Sequence, residues 1–223
     1  HRWRKPNYAW SPPESALTRH ATRLTLLNAF QNRRLPPQGA PRQRALLNRD
    51  AELAAHYSRQ LDPQARHLIV AQNLLPHLWL LGTLGGRTFD VLLTRWPLQQ
   101  LQERLDKAAR HHPHSTTLSD FRADPHLLRA EQEALAAAAR LVTPHRAIAA
   151  HFGNRALLLD WSLPTPEAIS PAHPGSHLFF PASPLGRKGI YELATALQGL
   201  NTELRILGRA TEDHPSPLAG LPH

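Results

Sequence analysis

The stretch 177–208, HLFFPASPLGRKGIYELATALQGLNTELRILG, decides the fold. His177-Leu178-Phe179-Phe180 is an apolar run suited to a buried strand, and Pro181 and Pro184 end it. Gly186-Arg187-Lys188-Gly189 follows. Ile190, Leu193, Ala194 and Leu197 then recur at helical spacing, and Gly199 closes the segment. Leu204-Arg205-Ile206-Leu207-Gly208 supplies a second strand. The spacing therefore predicts a strand–loop–helix–strand unit with two cations and a glycine at the helix start. Backbone N–H groups at a helix N-terminus, joined by Arg or Lys, form a site for anions, phosphate above all. Lys188 is the first candidate to hold such an anion. Arg187 stands beside it, and reads equally well as plain surface. Ser183 offers a hydroxyl or simply shapes a turn between two prolines. Gly189 permits close backbone approach to a ligand or relieves packing.

Upstream, apolar runs alternate with helical patterns. The expected strands are 67–71, 88–94, 141–143 and 155–160. Between them lie expected helices at 73–84, 97–110, 125–140 and 144–152, the third capped by Asp124-Pro125. Strands alternating with helices predict an α/β fold whose strands lie parallel in one sheet, with helices on both faces. Before this region, Ser11-Pro12-Pro13-Glu14 has the capping-box pattern and opens a helix, with Leu17, Ala21, Leu24 and Leu27 at helical spacing. Residues 42–60 read as another helix with Leu46, Leu47, Leu53 and Ala54 inward. In parallel sheets ligands gather at the carboxyl ends of strands. Position alone makes Asn73, Arg95, Thr143 and His145 candidates for a cleft, with Gln72 and Thr94 next to them. A capping or packed role is the simpler reading of His145.

Arg187-Lys188-Gly189-Ile190, placed after a strand and opening an apolar helix, resembles the start of the C-terminal domain in GT-B glycosyltransferases. These enzymes have two Rossmann-like domains and use nucleotide-sugars. The retaining group of that class shows a Gly-Arg and then a Lys-Gly here; Ala182-Ser183 stands where the Gly-Arg would be. The piece 141–164, LVTPHRAIAAHFGNRALLLDWSLP, likewise resembles the last unit of a GT-B N-terminal domain. The resemblance implies a retaining, hexosyltransferase-like enzyme in the cytoplasm or at the inner face of a bacterial membrane. It implies no metal and no bound cofactor, the nucleotide-sugar being substrate. Lys188, Arg187, Ser183 and Gly189 would hold the donor diphosphate.

The expected organisation is an N-terminal, acceptor-side domain at 1–160, a proline-rich linker at 161–176, and the beginning of a donor-binding domain at 177–223. Both ends read as cut. No glycine-rich opening strand precedes the first domain, and the later βα units of the second are missing, so the chain is expected to be inactive alone. Its lack of methionine agrees with a fragment.

Composition narrows the alternatives. The net charge is +9, from 26 basic and 17 acidic residues. Lys5, Lys107 and Lys188 are the only lysines, so the excess is arginine, as a GC-rich genome would give. A basic nucleic-acid-binding domain using Arg19, Arg23, Arg33 and Arg34 is the alternative from another class. Stacking aromatics are not interleaved with those arginines, which counts against it. An inactive Rossmann-like scaffold is a third reading. There are no cysteines, so disulfides, thiolate metal ligands and cysteine nucleophiles are excluded. His111-His112-Pro113-His114 lacks the spacing of a helical metal pair. No apolar run reaches membrane-spanning length.

Overall fold

Four of the apolar runs form one parallel sheet. The structure, a computed structural model, describes residues 17–36, 39–160, 177–200, 202–208 and 218. The capping box at Ser11, the linker at 161–176 and the prolines at 215, 217 and 222 lie outside the described residues. Contacts divide the chain into two units, 1–34 and 35–223.

In the first unit, α1 spans Thr22–Asn32. Of the residues at helical spacing, Ala21 is buried whereas Leu17 and Leu27 are exposed; in the 42–60 helix Ala54 is buried as expected, whereas Leu46, predicted to face inward, is exposed. An apolar stripe is buried only where another element packs on it, and the stripe alone does not ensure that.

The second unit opens with α2 (Ala40–Ser58), followed by β1 (His67–Ala71), α3 (Leu75–Leu80) and β2 (Thr88–Leu92). Next come α4 (Leu98–His111), α5 (Pro125–Ala137), β3 (Arg140–Thr143), α6 (Arg146–Phe152) and β4 (Ala156–Leu158). Asp124 caps α5 as expected, its side chain accepting the His126 N–H at 2.7 Å. The helix ends three residues earlier than predicted, because Ala138 is already extended and Arg140 begins β3. Two glycines at positive φ, Gly82 and Gly86, turn the chain back after α3.

The strands lie in the order β1-β2-β3-β4, all parallel, flanked by helices in the manner of Rossmann-like α/β proteins. Val70, Val91, Leu141 and Ala156 form one row across the sheet. Side chains of α2, α3 and α5, including Ala54, Leu75, Leu78, Ala134 and Leu135, share a core with Val70, Val91 and Leu141.

Among the described residues, the helices expected on both faces pack on one. The neighbouring row, Ala71, Leu92, Val142 and Leu157, points the other way, with Ile69 beside it. Ile69 is 67% exposed and Leu157 51%. Among the described residues the core lies on one face. Strand order explains it: when parallel strands are added in one direction by right-handed crossovers, every connecting helix falls on the same side.

The open face carries a polar cluster. Buried Asp90 accepts hydrogen bonds from Arg140 Nη2 (2.7 Å) and Nε (3.1 Å), and its Oδ2 lies 3.3 Å from His67 Nε2. The Arg140 hydrogen bonds hold the Asp90 carboxyl below its usual range, against the opposing effect of desolvation. A carboxyl lowered in the folded state contributes stability above its unfolded pKa and loses it as pH falls through the folded value. Asp90→Asn should therefore destabilise the protein at neutral pH and flatten the acid limb of its stability profile. Urea unfolding of both proteins across the acid range checks this, and parallel acid limbs would count against it.

The stretch quoted first forms its own strand–helix–strand layer. β5 (His177–Phe180) pairs in parallel with β6 (Glu203–Ile206), and α7 (Ile190–Leu197) connects them. Ile190, Leu197, Leu204 and Leu218 form its core. Gly186–Lys188 is a short 3-10 turn, and Gly189, at φ +84°, leads into α7. The left-handed backbone explains a glycine at 189. Gly208 admits no side chain, since a Cβ there would lie 2.2 Å from the Ser183 backbone.

Candidate functional site

The carboxyl ends of β1 and β2 are tied together by one buried glutamine and one buried glutamate. Gln72 follows β1, and its Oε1 accepts the N–H groups of Thr94 (3.1 Å) and Arg95 (3.2 Å) beyond β2. Its Nε2 donates to Glu131 Oε1 at 3.3 Å. Glu131, only 1% exposed, lies on the inner side of α5. Its Oε2 accepts the Leu98 N–H at the first residue of α4, and its Oε1 lies 3.1 Å from Arg95 Nη2. A carboxylate at a helix N-terminus satisfies an otherwise orphaned donor and complements the helix dipole. Arg95 Nη1 also donates to the Trp96 carbonyl at 3.0 Å, so the guanidinium is fixed at both ends.

Beside this network is a cavity of about 200 Å³, lined by α2, α4, the segment after β1, the 117–123 loop and Arg187. Three of the residues singled out from sequence meet here: Asn73, Arg95 and Arg187. Asn73 Nδ2 donates to Asp50 Oδ1 at 2.7 Å. Arg187 Nη1 lies 3.6 Å from Asp120 Oδ2, an ion pair longer than a hydrogen bond. Burial pushes the Asp50 carboxyl up, while the Asn73 hydrogen bond and the charges of His77, Arg95 and Arg49 pull it back. Burial also lowers the pKa of His77, whose Nε2 is buried without a hydrogen-bond partner among the described residues. A perturbed carboxyl in a cavity at the ends of parallel strands is the arrangement typical of ligand-handling sites.

The other sequence candidates are placed elsewhere. Thr143 is fully buried, and its Oγ1 accepts the His145 N–H at 3.2 Å. The His145 ring reaches the Thr94 carbonyl at 3.2 Å. Neither residue lines the cavity. Ser183 sits at the end of β5 against Gly208. Lys188 is exposed on the 3-10 turn. Its N–H donates to the Leu185 carbonyl at 2.8 Å and that of Gly189 to the Gly186 carbonyl at 3.0 Å. Those two donors are engaged within the turn, so at residues 188 and 189 it is the Lys188 ammonium that faces outward. Glu192 stands in the first turn of α7.

The turn rests on the loop after α4. Gly186 is buried against Ser115 and Leu118, and the Tyr191 ring stacks flat on His112, with centroids 4.1 Å apart and planes 6° from parallel.

Sequence reasoning missed Glu131 and Asp50. Glu131 carried a signal, since it lies four residues after Leu127 on the stripe that also holds Ala130, Ala134 and Leu135, where a charge demands a partner. Asp50 carried none, being one of many polar residues on α2.

Among the described residues, no helix is long and apolar enough to cross a membrane. Comparison of the chain with protein-family descriptions, curated proteins and solved structures finds no match.

Proposed function

We propose that this chain belongs to a glycosyltransferase that draws on a nucleotide-sugar donor, with the diphosphate received at Lys188 and the start of α7. One observation carries the reading. A four-stranded parallel sheet is followed along the chain by a parallel β5–α7–β6 unit, with Lys188 exposed where the loop enters the helix. Phosphate groups bind at this position in Rossmann-like folds, because strand ends and helix starts present donors and positive potential together.

In this reading Lys188 places positive charge where negative charge develops as the nucleoside diphosphate departs. Such stabilisation, fixed in advance, accelerates the chemical step. Arg187 acts one step removed, bracing the turn through Asp120 rather than touching phosphate.

Lys188→Ala should leave the thermal unfolding midpoint nearly unchanged and slow sugar transfer by about 10²–10³-fold, by analogy with single oxyanion-stabilising groups. Arg187→Ala should lower the midpoint and affect transfer less. Turnover with a radiolabelled nucleotide-sugar, measured for both variants in the intact enzyme that contains this chain, checks this, and equal rates in wild type and Lys188→Ala would sink the reading.

A further inference from the structure

We infer that the cavity between α2, the carboxyl ends of β1 and β2 and the Gly186–Lys188 turn binds a small neutral polyol of monosaccharide size, and that Asp50 accepts a hydrogen bond from one of its hydroxyls. The inference goes beyond the donor reading, because Lys188 does not line this cavity and the two sites can be tested separately.

The charges lining the cavity choose the ligand. Arg95 is matched by Glu131 at 3.1 Å, and Arg187 faces Asp120 at 3.6 Å. Each guanidinium is matched by a carboxylate, so neither presents uncompensated positive charge to an anion. Asp50 is different. Its hydrogen bond comes from the neutral amide of Asn73, and no ion pair within 4.0 Å is formed by it among the described residues. A half-buried carboxylate with one oxygen taken by an amide keeps acceptor capacity for a hydroxyl.

The lining is otherwise largely apolar, with Leu46 one turn from Asp50 on α2, Leu98 from α4 and Phe121 from the loop. A sugar ring has this division of character, hydroxyls at its rim and C–H groups on its faces. The volume, about 200 Å³, falls below the ~300–1,000 Å³ of sites for drug-sized ligands and suits one ring. If the donor reading also holds, this polyol is the acceptor, held by Asp50 at the hydroxyl that receives the sugar.

The stability of the free protein bears on the same group. Asp50 is raised by burial, and the ionisable groups facing it are His77 from α3, Arg95 after β2 and Arg49 from α2. A carboxyl raised in the folded state contributes stability below its unfolded pKa, and this is lost as pH rises through the folded value. Asp50→Asn should therefore raise the unfolding midpoint at neutral pH, with the gain disappearing in acid. A residue kept at a cost in stability is expected in a binding site.

The test is saturation-transfer NMR on the whole chain, with glucose, mannose, N-acetylglucosamine and myo-inositol offered separately at millimolar concentration and no nucleotide present. At least one should receive saturation, weakened roughly tenfold or more in Asp50→Asn, about 1.4 kcal/mol in affinity. Leu105→Trp, which fills the cavity from α4 and leaves α2 unaltered, should abolish the signal with the Asp50 carboxylate retained. The wild-type signal should fade as pH falls through the Asp50 range. No transfer to any of the four, or transfer undiminished in both variants, overturns the inference. Nucleoside diphosphate binding measured on the same samples reports on Lys188 independently.

Discussion

Replacing Glu131 with alanine should cost about 3–5 kcal/mol, the penalty for breaking a buried ion pair by removing one partner. The carboxylate receives the Leu98 N–H, Gln72 Nε2 and Arg95 Nη2. Its loss would leave the first turn of α4 uncapped by side chain, a buried amide short of a partner and the Arg95 guanidinium without its counter-charge. Gln72 also holds the backbone of Thr94 and Arg95, so the damage would spread to the ends of β1 and β2. Glu131→Gln keeps an acceptor and the side-chain volume, and should lose only part of that stability. Urea unfolding measures all three proteins. A cost below about 1 kcal/mol for alanine, the level of an exposed ion pair, would mean that the network is not buried in solution.

Leu141→Ala and Leu157→Ala form the second test, because they ask which face of the sheet is covered. Leu141 is fully buried in the middle of β3, in the core shared with α3, α5 and α6. Removing its side chain should cost about 2.7–5.0 kcal/mol, transfer and cavity terms together. Leu157 sits on the open face, in the row of Leu92 and Val142. Its truncation should stay within about 0.5 kcal/mol, the range for surface changes with little buried contact. Chemical denaturation of the two variants compares them directly. Equal costs would contradict the one-sided sheet.

The elements were legible where local signals were strong. β1 and β5 lie at their predicted positions, because each is an apolar run bounded by turn residues. The Asp124-Pro125 cap announced α5. Parallel pairing followed from alternation with helices, and the structure bears it out. One-sidedness was not legible. Leu68-Ile69-Val70-Ala71 reads as continuously apolar, the pattern of a strand covered on both faces, and only strand order reveals that Ile69 faces away from the helices. The site divides in the same way. Asn73 and Arg95 could be found by position, since each follows the carboxyl end of a strand. Arg187 could be found from its motif, but its partner Asp120 lies in a distant loop that no local pattern connects to it. Asp50 becomes visible only when α2 is folded against Asn73.

The central claim is that Lys188 receives a diphosphate. Isothermal titration of uridine diphosphate and guanosine diphosphate into the chain tests it most directly, in wild type and in Lys188→Ala. The account predicts saturable binding of at least one nucleotide to the wild type, with affinity reduced about tenfold or more by the substitution and the unfolding midpoint unmoved. Binding of equal strength in both proteins, or no binding of either nucleotide to the wild type, would contradict it.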